Sequence, residues 1–448
     1  MTLTELLAAR EARVQRQREL LQTYGKPLVS FTMNIPGPVK NNELITAGFL
    51  LGSQWLTAQF PSILYKEERL LPTGCEGFYV IEGKGQEIKA LCIQLEERQP
   101  IGRLFDLDIL LPTGEKLQRP HPRSCLLCGE DARICARCRR HSLQALEAET
   151  VKLLTAATEQ AEAEKLGALA VQSLLYELCT TPKPGLVDMN NNGCHKDMDA
   201  FTFCASAAAL SDYFRFCALL GIQSRGKDPQ SLLPLLRCEG RLAEERMYLA
   251  TKGINTHKGA IFSLGLMTAA AGRIGKPYNG EAICGECSRI CKDLVKKDLA
   301  SLSREEAKSK GEQLYLRYGT AGARAQAEAG FPTVLHIGLP VLQKGLSQGY
   351  DRSRSAAAAL LAMLCEETDT CLLSRSSPQA LGLLQAELRE LLSQEPYPDA
   401  QILSSLDRRF TAENLSPGGM ADLLSLCFFL QDLSPSAPNK RAETVTEL

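Results

Sequence analysis

From about residue 145 onward, the sequence is a succession of helical segments in which convincing strand alternation is absent. Apolar residues recur at the spacing of one helix face between Leu166 and Leu178, and Pro182 ends that run. Because such helices must bury their apolar faces against one another, we predict one all-α domain over residues 155–433, reached through a helical connector at 140–165. The other predicted helices cover residues 197–220, 232–250, 257–273, 281–300, 303–318, 355–373, 378–393 and 418–431.

The first 145 residues have a different texture, in which short β-prone segments lie between helical ones. The β-prone segments are 28–33, 79–81, 88–95 and 104–111, and the second and third flank a Gly-Lys-Gly turn typical of a hairpin. We therefore predict an α+β domain with a mainly antiparallel sheet over residues 1–145, after a helix in the first 22 residues. The protein is thus expected to be multidomain, and its polar last fifteen residues, 434–448, are predicted to be a disordered tail.

Charge and composition narrow the functional classes. The 51 Lys and Arg residues balance 52 Asp and Glu residues, which argues against a nucleic-acid-binding protein. No run approaches the roughly 18 apolar residues of a membrane span, and the N-terminal segment is charged rather than signal-like. We therefore expect no membrane or nucleic-acid partner, and a cytoplasmic protein whose 17 cysteines are thiols.

Two carboxylates occur two residues apart in the strand predicted at 104–111. Alternate side chains of a strand share a face, so Asp106 and Asp108 point the same way and repel each other unless a cation lies between them. Such oxygen ligands suit Mg²⁺ with a di- or triphosphate. Lys40, in the rigid loop after residues 28–33, could meet a phosphate. A half-buried strand with a solvated polar face, and a plain turn, are the simpler interpretations.

The arginine-rich segment 119–140 contains two Cys-x-x-Cys pairs and is followed by a histidine. Cys125, Cys128, Cys135 and His141 could bind Zn²⁺ tetrahedrally, and a set with Cys138 in place of the histidine fits as well. The simpler alternative is a group of buried thiols.

In the helical domain, a long polar loop leads to the predicted helix at 197–220. It places His195 and Asp199 four residues apart on one helix face, with Lys196 beside the free N–H groups of the helix start. The motif Asn255-Thr256-His257-Lys258 repeats this arrangement before a very apolar helix, with Asn255 or Thr256 as the cap. Two such motifs favour a polyanion pocket, although each alone is more often a helix cap.

A third helix start has Ser416 as its predicted cap, Pro417 at its first position, and Gly418 and Gly419 for close approach to a ligand. Carboxylates in this region could hold Mg²⁺ for a nucleoside triphosphate, or could form ordinary salt bridges. No P-loop motif, dinucleotide-binding glycine motif or G-x-S-x-G elbow is present, so these three enzyme classes are poorly supported.

These motifs resemble two known enzyme families. Through LVSFTMNIPGPVK, PIGRLFDLDIL and RSCLLCGEDARICARCRRH, residues 15–145 resemble holo-citrate-lyase synthase, the phosphoribosyl-dephospho-CoA transferase. Through TPKPGLVDMNNNGCHKDMDAFTF, ATKGINTHKGAIFSLGL, GFPTVLHIGLP and NLSPGGMADLL, residues 165–433 resemble triphosphoribosyl-dephospho-CoA synthase. The chain is thus similar to a fusion of the two.

The resemblance implies two consecutive reactions. The helical domain would join ATP to 3′-dephospho-CoA with loss of adenine. The first domain would transfer the phosphoribosyl-dephospho-CoA unit to a serine of the apo acyl-carrier (gamma) subunit of citrate lyase, releasing pyrophosphate.

With these reactions in view, we assign roles to the residues of the motifs as hypotheses. The expected catalytic residues are His195, His257, Asp106 and Asp108. The expected nucleotide contacts are Lys40, Arg103, Lys183, Lys196, Asn255, Thr256, Lys258, Arg324, Ser416, Gly418 and Gly419. The expected Mg²⁺ ligands are Asp106, Asp108, Asp197, Asp199 and Asp422, with structural Zn²⁺ at Cys125, Cys128, Cys135 and His141.

Several positions depart from the synthase pattern and favour the first of two alternatives, whereas the second rests on the arginine- and cysteine-rich segment. The departures are Gln313, Gln326, Cys371, Ser376, Ser377 and Met420. One alternative is that only the transferase half is active and the helical domain merely binds nucleotide or partner. The other is a non-enzymatic zinc and nucleic-acid-binding adaptor, which the neutral charge disfavours.

Overall fold

The computed structural model describes residues 2–305, 307 and 309–433, so the tail predicted at 434–448 lies outside the described residues. The chain divides into two compact units, Met1–Ala161 and Glu162–Leu448. Over the described residues, the first unit contains helices and an antiparallel sheet and the second is helical, which confirms the predicted fold class.

The first unit is built around a four-stranded sheet. Its strand order is β2-β3-β1-β4, and each neighbouring pair is antiparallel. A 3₁₀ turn at Pro100–Leu104 leads directly into the last strand. The elements are α1 (Leu3–Tyr24), β1 (Leu28–Met33), α2 (Glu43–Gln59), β2 (Ile63–Leu71), β3 (Gly74–Ile81), α3 (Gly85–Arg98), β4 (Phe105–Leu110), α4 (Ala132–Arg137) and α5 (Leu143–Cys179), the last of which continues into the second unit.

The hairpin predicted around residues 83–85 is wrong. The segment predicted as its second strand lies in α3, where Ile88, Cys92 and Leu95 are buried on one helical face. The hairpin partner of β3 is instead β2, which precedes it in the chain. A short apolar run fits both the two-residue period of a strand and the 3.6-residue period of a helix, and only the tertiary packing decides between them.

The two faces of the sheet differ in polarity. Phe31, Tyr79 and Leu107 belong to the main core of the unit, which α2 and α3 also line. The opposite face packs Leu28 and Phe78 against α1 at one end and is polar at the other. The polar end carries the candidate chemistry of this unit.

The second unit is a helical assembly whose central helices are buried almost all round. Two glycines allow α7 and α9 to pack with their backbones in contact, because a Cβ at Gly221 or Gly272 would collide with a carbonyl oxygen of the other helix. The helices are α6 (Ala200–Ala209), α7 (Ser211–Gln223), α8 (Leu232–Ala250), α9 (Lys258–Ile274), α10 (Gly280–Ile290), α11 (Leu294–Leu299), α12 (Lys310–Tyr318), α13 (Ala323–Glu328), α14 (Leu339–Ser347), α15 (Arg352–Glu366), α16 (Thr370–Leu373), α17 (Pro378–Gln394), α18 (Ala400–Ala412) and α19 (Gly418–Leu433).

Among the described residues, no single helix has the length and apolar character needed to cross a membrane. By length and composition alone, α6 and α7 together meet that criterion, and the pair is bent by 41° at the junction of the two helices.

Candidate active sites

The second unit encloses a cavity of about 1740 Å³ into which the N-terminal ends of α9 and α19 open. The loops before α6 and α16 and the short helix α13 complete its walls. Of the predicted nucleotide contacts and catalytic residues, the cavity wall includes His195, His257, Lys183, Lys196, Asn255, Thr256, Lys258, Arg324, Ser416, Gly418 and Gly419. Of the predicted Mg²⁺ ligands it includes Asp197 and Asp422.

His257 is the buried titratable group at the start of α9. Only 4% of the residue is exposed, and its Nδ1 lies 2.7 Å from the hydroxyl of Ser206. Its Nε2 is buried without a hydrogen-bond partner in the described structure. Burial, with a smaller contribution from Lys183, lowers the pKa of His257 to about 3, so the imidazole is neutral at pH 7.

His195 lies in the turn before α6 rather than on a helix. The prediction that His195 and Asp199 share a helix face is wrong, because α6 begins at Ala200 and Asp199 is its N-cap. The Asp199 carboxylate accepts bonds from the backbone N–H and the hydroxyl of Thr202, at 2.8 and 2.7 Å. His195 Nε2 lies 3.2 Å from the Ser416 hydroxyl, and burial lowers the pKa of this imidazole.

The Ser416 contact also corrects the predicted start of α19. The helix begins at Gly418, so Pro417 precedes its first residue. The Ser416 side chain therefore serves the loop that carries His195.

A buried ion pair lies at the cavity wall. Lys183 donates to a carboxylate oxygen of Glu177 and, at 2.8 Å, to the Glu177 carbonyl. Both side chains are at least 95% buried. Sequence reasoning missed Glu177, whose only signal is a charged residue among the apolar positions of a long helix.

Asp422 projects from α19 toward the start of α9. Its carboxylate lies so close to Gly259 that a Cβ there would collide with it. Burial, and then the charges of Glu177 and Asp369, raise the pKa of Asp422 well above its usual range. Asp369 itself caps α16 and accepts the Met420 N–H at 2.9 Å. The site therefore concentrates acidic groups, and Lys183 pairs with one of them, Glu177.

The predicted phosphate contacts at the cavity rim already have acidic partners. Lys258 pairs with Glu244 at 2.7 Å, which raises the pKa of this lysine. Arg324 pairs with Asp298 at 3.2 Å and with Glu312 at 3.1 Å. Neither Asn255 nor Thr256, the two predicted caps, is the N-cap of α9, which is His257. Asn255 accepts the Lys258 N–H at a long 3.3 Å, and the Thr256 hydroxyl bonds to Ser206.

In the first unit, Asp106 and Asp108 lie on the polar sheet face, as the alternation predicted. They stand opposite Thr32 and Ser30 of β1, while Phe105 and its alternate neighbours are buried. Protein cations approach both carboxylates. Arg123 lies 3.0 Å from Asp106 and Lys116 lies 2.5 Å from Asp108.

Two other predicted phosphate contacts bond to backbone carbonyls in the structure. Lys40 donates to the Ile35 carbonyl at 2.5 Å, and its loop begins beside the start of β4, where the Asn34 N–H bonds to the Leu104 carbonyl. Arg103 donates to the Cys125 carbonyl.

Sequence reasoning missed a third acid on the same polar face. Glu76 of β3 stands opposite Thr32 from the other side, is 5% exposed, and pairs with Arg13 of α1 at 3.4 Å. Burial raises the pKa of Glu76.

The four predicted zinc ligands come together in the fold. One ligand atom from each of Cys125, Cys128, Cys135 and His141 lies within 4.8 Å of the others, whereas Cys138 is not part of the group. The Cys128 sulfur is 3.5 Å from that of Cys135 and 3.3 Å from His141 Nε2. The structure thus favours the set with the histidine over the four-cysteine alternative.

Comparisons with known proteins now bear on these sites. Residues 1–157 match the family described as "Apo-citrate lyase phosphoribosyl-dephospho-CoA transferase", CitX, and residues 163–440 match "ATP:dephospho-CoA triphosphoribosyl transferase", CitG. "Protein CitXG" of Haemophilus influenzae is 33% identical, over 96% of both chains, and that of Leuconostoc mesenteroides subsp. cremoris is 33% identical over 97% of both. The chain belongs to the CitXG family.

One relative that matches the second unit alone has a higher sequence identity. The "Probable 2-(5''-triphosphoribosyl)-3'-dephosphocoenzyme-A synthase" of Albidiferax ferrireducens is 42% identical over 60% of this chain and 91% of that protein. The predicted fusion is therefore confirmed. The CitG unit acts on ATP and dephospho-CoA, and the CitX unit transfers the phosphoribosyl-dephospho-CoA group to apo-citrate lyase.

Some departures from the CitG pattern lie at the cavity and others do not. Gln326, Cys371 and Met420 line it. Gln326 is buried and donates to Glu367 at 2.5 Å and to Thr333 at 2.9 Å.

The remaining departures have other surroundings. Gln313 is not among the residues that line the cavity. Ser376 bonds to the Leu372 carbonyl at 2.8 Å, and Ser377 caps α17.

Proposed function

We propose that the CitG cavity performs the triphosphoribosyl transfer with its two cavity-facing histidines as the groups next to the reacting atoms. The observation that supports this most directly is the unpartnered Nε2 of buried His257, a residue of the cavity wall. In the reaction, the 2′-hydroxyl oxygen of 3′-dephospho-CoA bonds to the anomeric carbon of the ATP ribose. The bond from that carbon to adenine breaks, the hydroxyl loses a proton and adenine gains one.

The environments of the two histidines suggest different roles. Because burial lowers the pKa of His195, it is neutral at pH 7 and is proposed as the base for the attacking hydroxyl. His257, with a pKa of about 3, is neutral over the whole working range and is proposed to hydrogen-bond the nucleotide rather than to carry a full charge. Lys196, at the cavity wall, is proposed to bind the triphosphate.

The cavity carboxylates fit a divalent cation. Burial and two neighbouring carboxylates raise the pKa of Asp422, and a bound cation would offset the repulsion between these carboxylates. We propose that Asp422, with Asp197 at the rim, holds Mg²⁺, which would neutralise triphosphate charge. Asp199 is a weaker candidate, since its carboxylate already caps α6.

The test of the CitG proposal is adenine release from ATP, Mg²⁺ and 3′-dephospho-CoA, followed by chromatography. His257→Ala and His195→Ala should each lower kcat by at least about 100-fold. His336→Ala is the matched control, because His336 is exposed and lies outside the cavity wall. Unchanged adenine release by His257→Ala would overturn the proposed role. Adenine release by the unmodified protein itself decides against the alternative of an inactive helical domain.

For the CitX unit, we propose that the polar sheet face around Asp106 and Asp108 carries the second transfer. A serine hydroxyl of the acyl-carrier subunit attacks the α-phosphorus of the triphosphoribosyl group, and pyrophosphate leaves. The two carboxylates fit Mg²⁺, which would offset the charge of the departing pyrophosphate. Arg123, Arg103 and Lys40 lie around the same end of the sheet and are proposed to contact phosphate oxygens.

Purified intermediate and apo acyl-carrier subunit provide the assay, with the mass gain of the carrier as the readout. Asp106→Asn should lower transfer by at least about 100-fold, while adenine release stays unchanged. Glu115→Gln is a control at an exposed turn of the same unit. Normal transfer by Asp106→Asn would contradict the proposal.

We also propose that the cysteine–histidine group holds a structural Zn²⁺. A tetrahedral ion with Zn–S bonds of about 2.3 Å keeps its ligand atoms about 3.5–3.8 Å apart, close to the 3.3 and 3.5 Å separations seen here. Gly129, at φ +77°, gives the tight turn after Cys128. The group is tied to the transfer site, since the Cys125 carbonyl accepts from Arg103.

Metal analysis tests the zinc proposal directly. The purified chain should contain about one zinc, Cys128→Ser should lose it, and Cys138→Ser should keep it. Zinc retained by Cys128→Ser at full occupancy would contradict the assignment. We separately propose a cytoplasmic location, because none of the 17 cysteines forms a disulfide bond in the structure.

A further inference from the structure

Two hydroxyl groups connect the buried side of His257 to the helix packed against it. The hydroxyl oxygens of Thr256 and Ser206 are 2.7 Å apart, and the Ser206 oxygen lies 2.7 Å from His257 Nδ1. Ser206 is on α6 and fully buried, and both of its partners belong to a distant segment of the chain. The three side chains form a short chain that ends at the imidazole.

The direction of the hydrogen bonds in this chain sets which ring nitrogen carries hydrogen. Each hydroxyl has one hydrogen to donate, so the chain can run in either of two directions over the same distances. When Thr256 donates to Ser206, the Ser206 hydrogen is directed at His257 Nδ1, which accepts it. In a neutral imidazole with an accepting Nδ1, the proton is on Nε2.

We propose that Ser206 and Thr256 are positioning residues that hold His257 in the tautomer with hydrogen on Nε2, so that it donates to an acceptor atom of the nucleotide. The proposal rests on the proposed function, in which His257 contacts that nucleotide. Reversing the hydroxyl chain would turn Nε2 into an acceptor, which would repel a phosphate oxygen or an unprotonated purine nitrogen.

Other contacts keep the ring in place without competing for Nε2. The Phe203 ring and the imidazole pack at 85° to each other with centroids 5.0 Å apart, and the His257 backbone nitrogen lies 3.3 Å from the Met247 sulfur. The ring is therefore fixed in position, and the hydroxyl chain selects which of its nitrogens carries hydrogen.

Nitrogen-15 NMR of the full-length protein labelled at histidine tests the tautomer. The His257 signals are identified as those missing from the spectrum of His257→Gln. We expect hydrogen on Nε2 in the unmodified protein, and a mixture of tautomers in Thr256→Val and Ser206→Ala. Thr256→Ser, which keeps the hydroxyl, should restore the original spectrum.

Adenine release by the same variants supplies the kinetic readout. Thr256→Val should lower kcat by about tenfold or more with a smaller change in KM for ATP, and Thr256→Ser should recover most of the loss. Circular dichroism identifies any variant that fails to fold, and Ser206→Ala then provides the independent second variant. Hydrogen on Nδ1 in the unmodified protein, or an unchanged tautomer and kcat in folded Thr256→Val, would overturn the inference.

The failure of this inference is distinguishable from that of the proposed function. Hydrogen on Nδ1 together with an inactive His257→Ala overturns the tautomer assignment and leaves His257 in its role. Full activity of His257→Ala overturns the role, whatever tautomer the spectrum shows.

Discussion

Replacing Lys183 with methionine should destabilise the CitG unit strongly, because it removes one partner of a buried ion pair. Lys183 is 1% exposed and donates twice to Glu177, through the carboxylate and the carbonyl. Breaking such a pair from one side costs about 3–5 kcal/mol, since the remaining charge stays buried without its partner. We expect a loss of this size in the free energy of unfolding.

The loss should depend on pH. Burial raises the pKa of Glu177 above its usual 4.5, and Lys183 opposes that rise. In Lys183→Met the folded-state pKa is higher still, so the folded protein binds more protons than the unfolded chain above about pH 4.5. Stability should therefore fall as pH increases from about 5, making the variant relatively less stable at about pH 8.

The chain contains an internal control for this measurement. Trp55, the one tryptophan of the sequence, lies in α2, so its fluorescence during urea unfolding reports the CitX unit. The far-ultraviolet circular dichroism signal comes mainly from the helical CitG unit. Lys183→Met should shift the dichroism transition and leave the fluorescence transition in place.

Two further variants complete the experiment. Arg409→Met breaks exposed pairs with Glu387 and Glu413 in the same unit and should lower the free energy of unfolding by at most about 1 kcal/mol per pair. Lys183→Met combined with Glu177→Met should be less destabilised than the single variant. A single-variant loss below about 1 kcal/mol, or equal losses at about pH 5 and pH 8, would refute the reasoning.

Two other substitutions probe the cavity wall. Gly259→Ala should lower adenine release about tenfold, because the new methyl group displaces the Asp422 carboxylate; Gly285→Ala, which meets no atom within 4 Å, should leave activity unchanged and is the control. Full activity of Gly259→Ala would show that the Asp422 position does not matter. Gln326→Glu should lower the free energy of unfolding by about 1–3 kcal/mol at about pH 8 and by less at about pH 5, because the new carboxylate faces Glu367. Equal urea midpoints for the variant and the unmodified protein at the higher pH would contradict this.

The elements that follow from the sequence are those with strong local signals. Helical periodicity predicts the all-helical second unit, and alternation predicts that Asp106 and Asp108 share a face of β4. The spacing of Cys125, Cys128 and Cys135 is enough to predict that these side chains form a compact group. In each case, residues close in sequence supply most of the interaction.

The parts that could not be predicted depend on the path of a loop or on contacts between distant segments. In the sequence, Glu177 is indistinguishable from the other polar residues of its helix, and only the fold shows that Lys183 pairs with it. Ser206 lies in a run of small residues and has no signal for its contact with His257. The wrong hairpin at 83–85 has a different origin, because β3 pairs with β2 across a two-residue connection and no strand was predicted at residues 63–71.

The glycine contacts between α7 and α9 fix the length of the segment that ends at the site. A helix turns by about 100° per residue, so one residue inserted or removed between His257 and Gly272 would swing the imidazole away from Ser206 or force Gly272 out of its contact with Ala218. The helix α9 cannot shift along α7 to compensate for the change, because the two backbones are already in contact. Homologous enzymes of different size should therefore vary in their connecting loops and keep this interval unaltered, residue for residue.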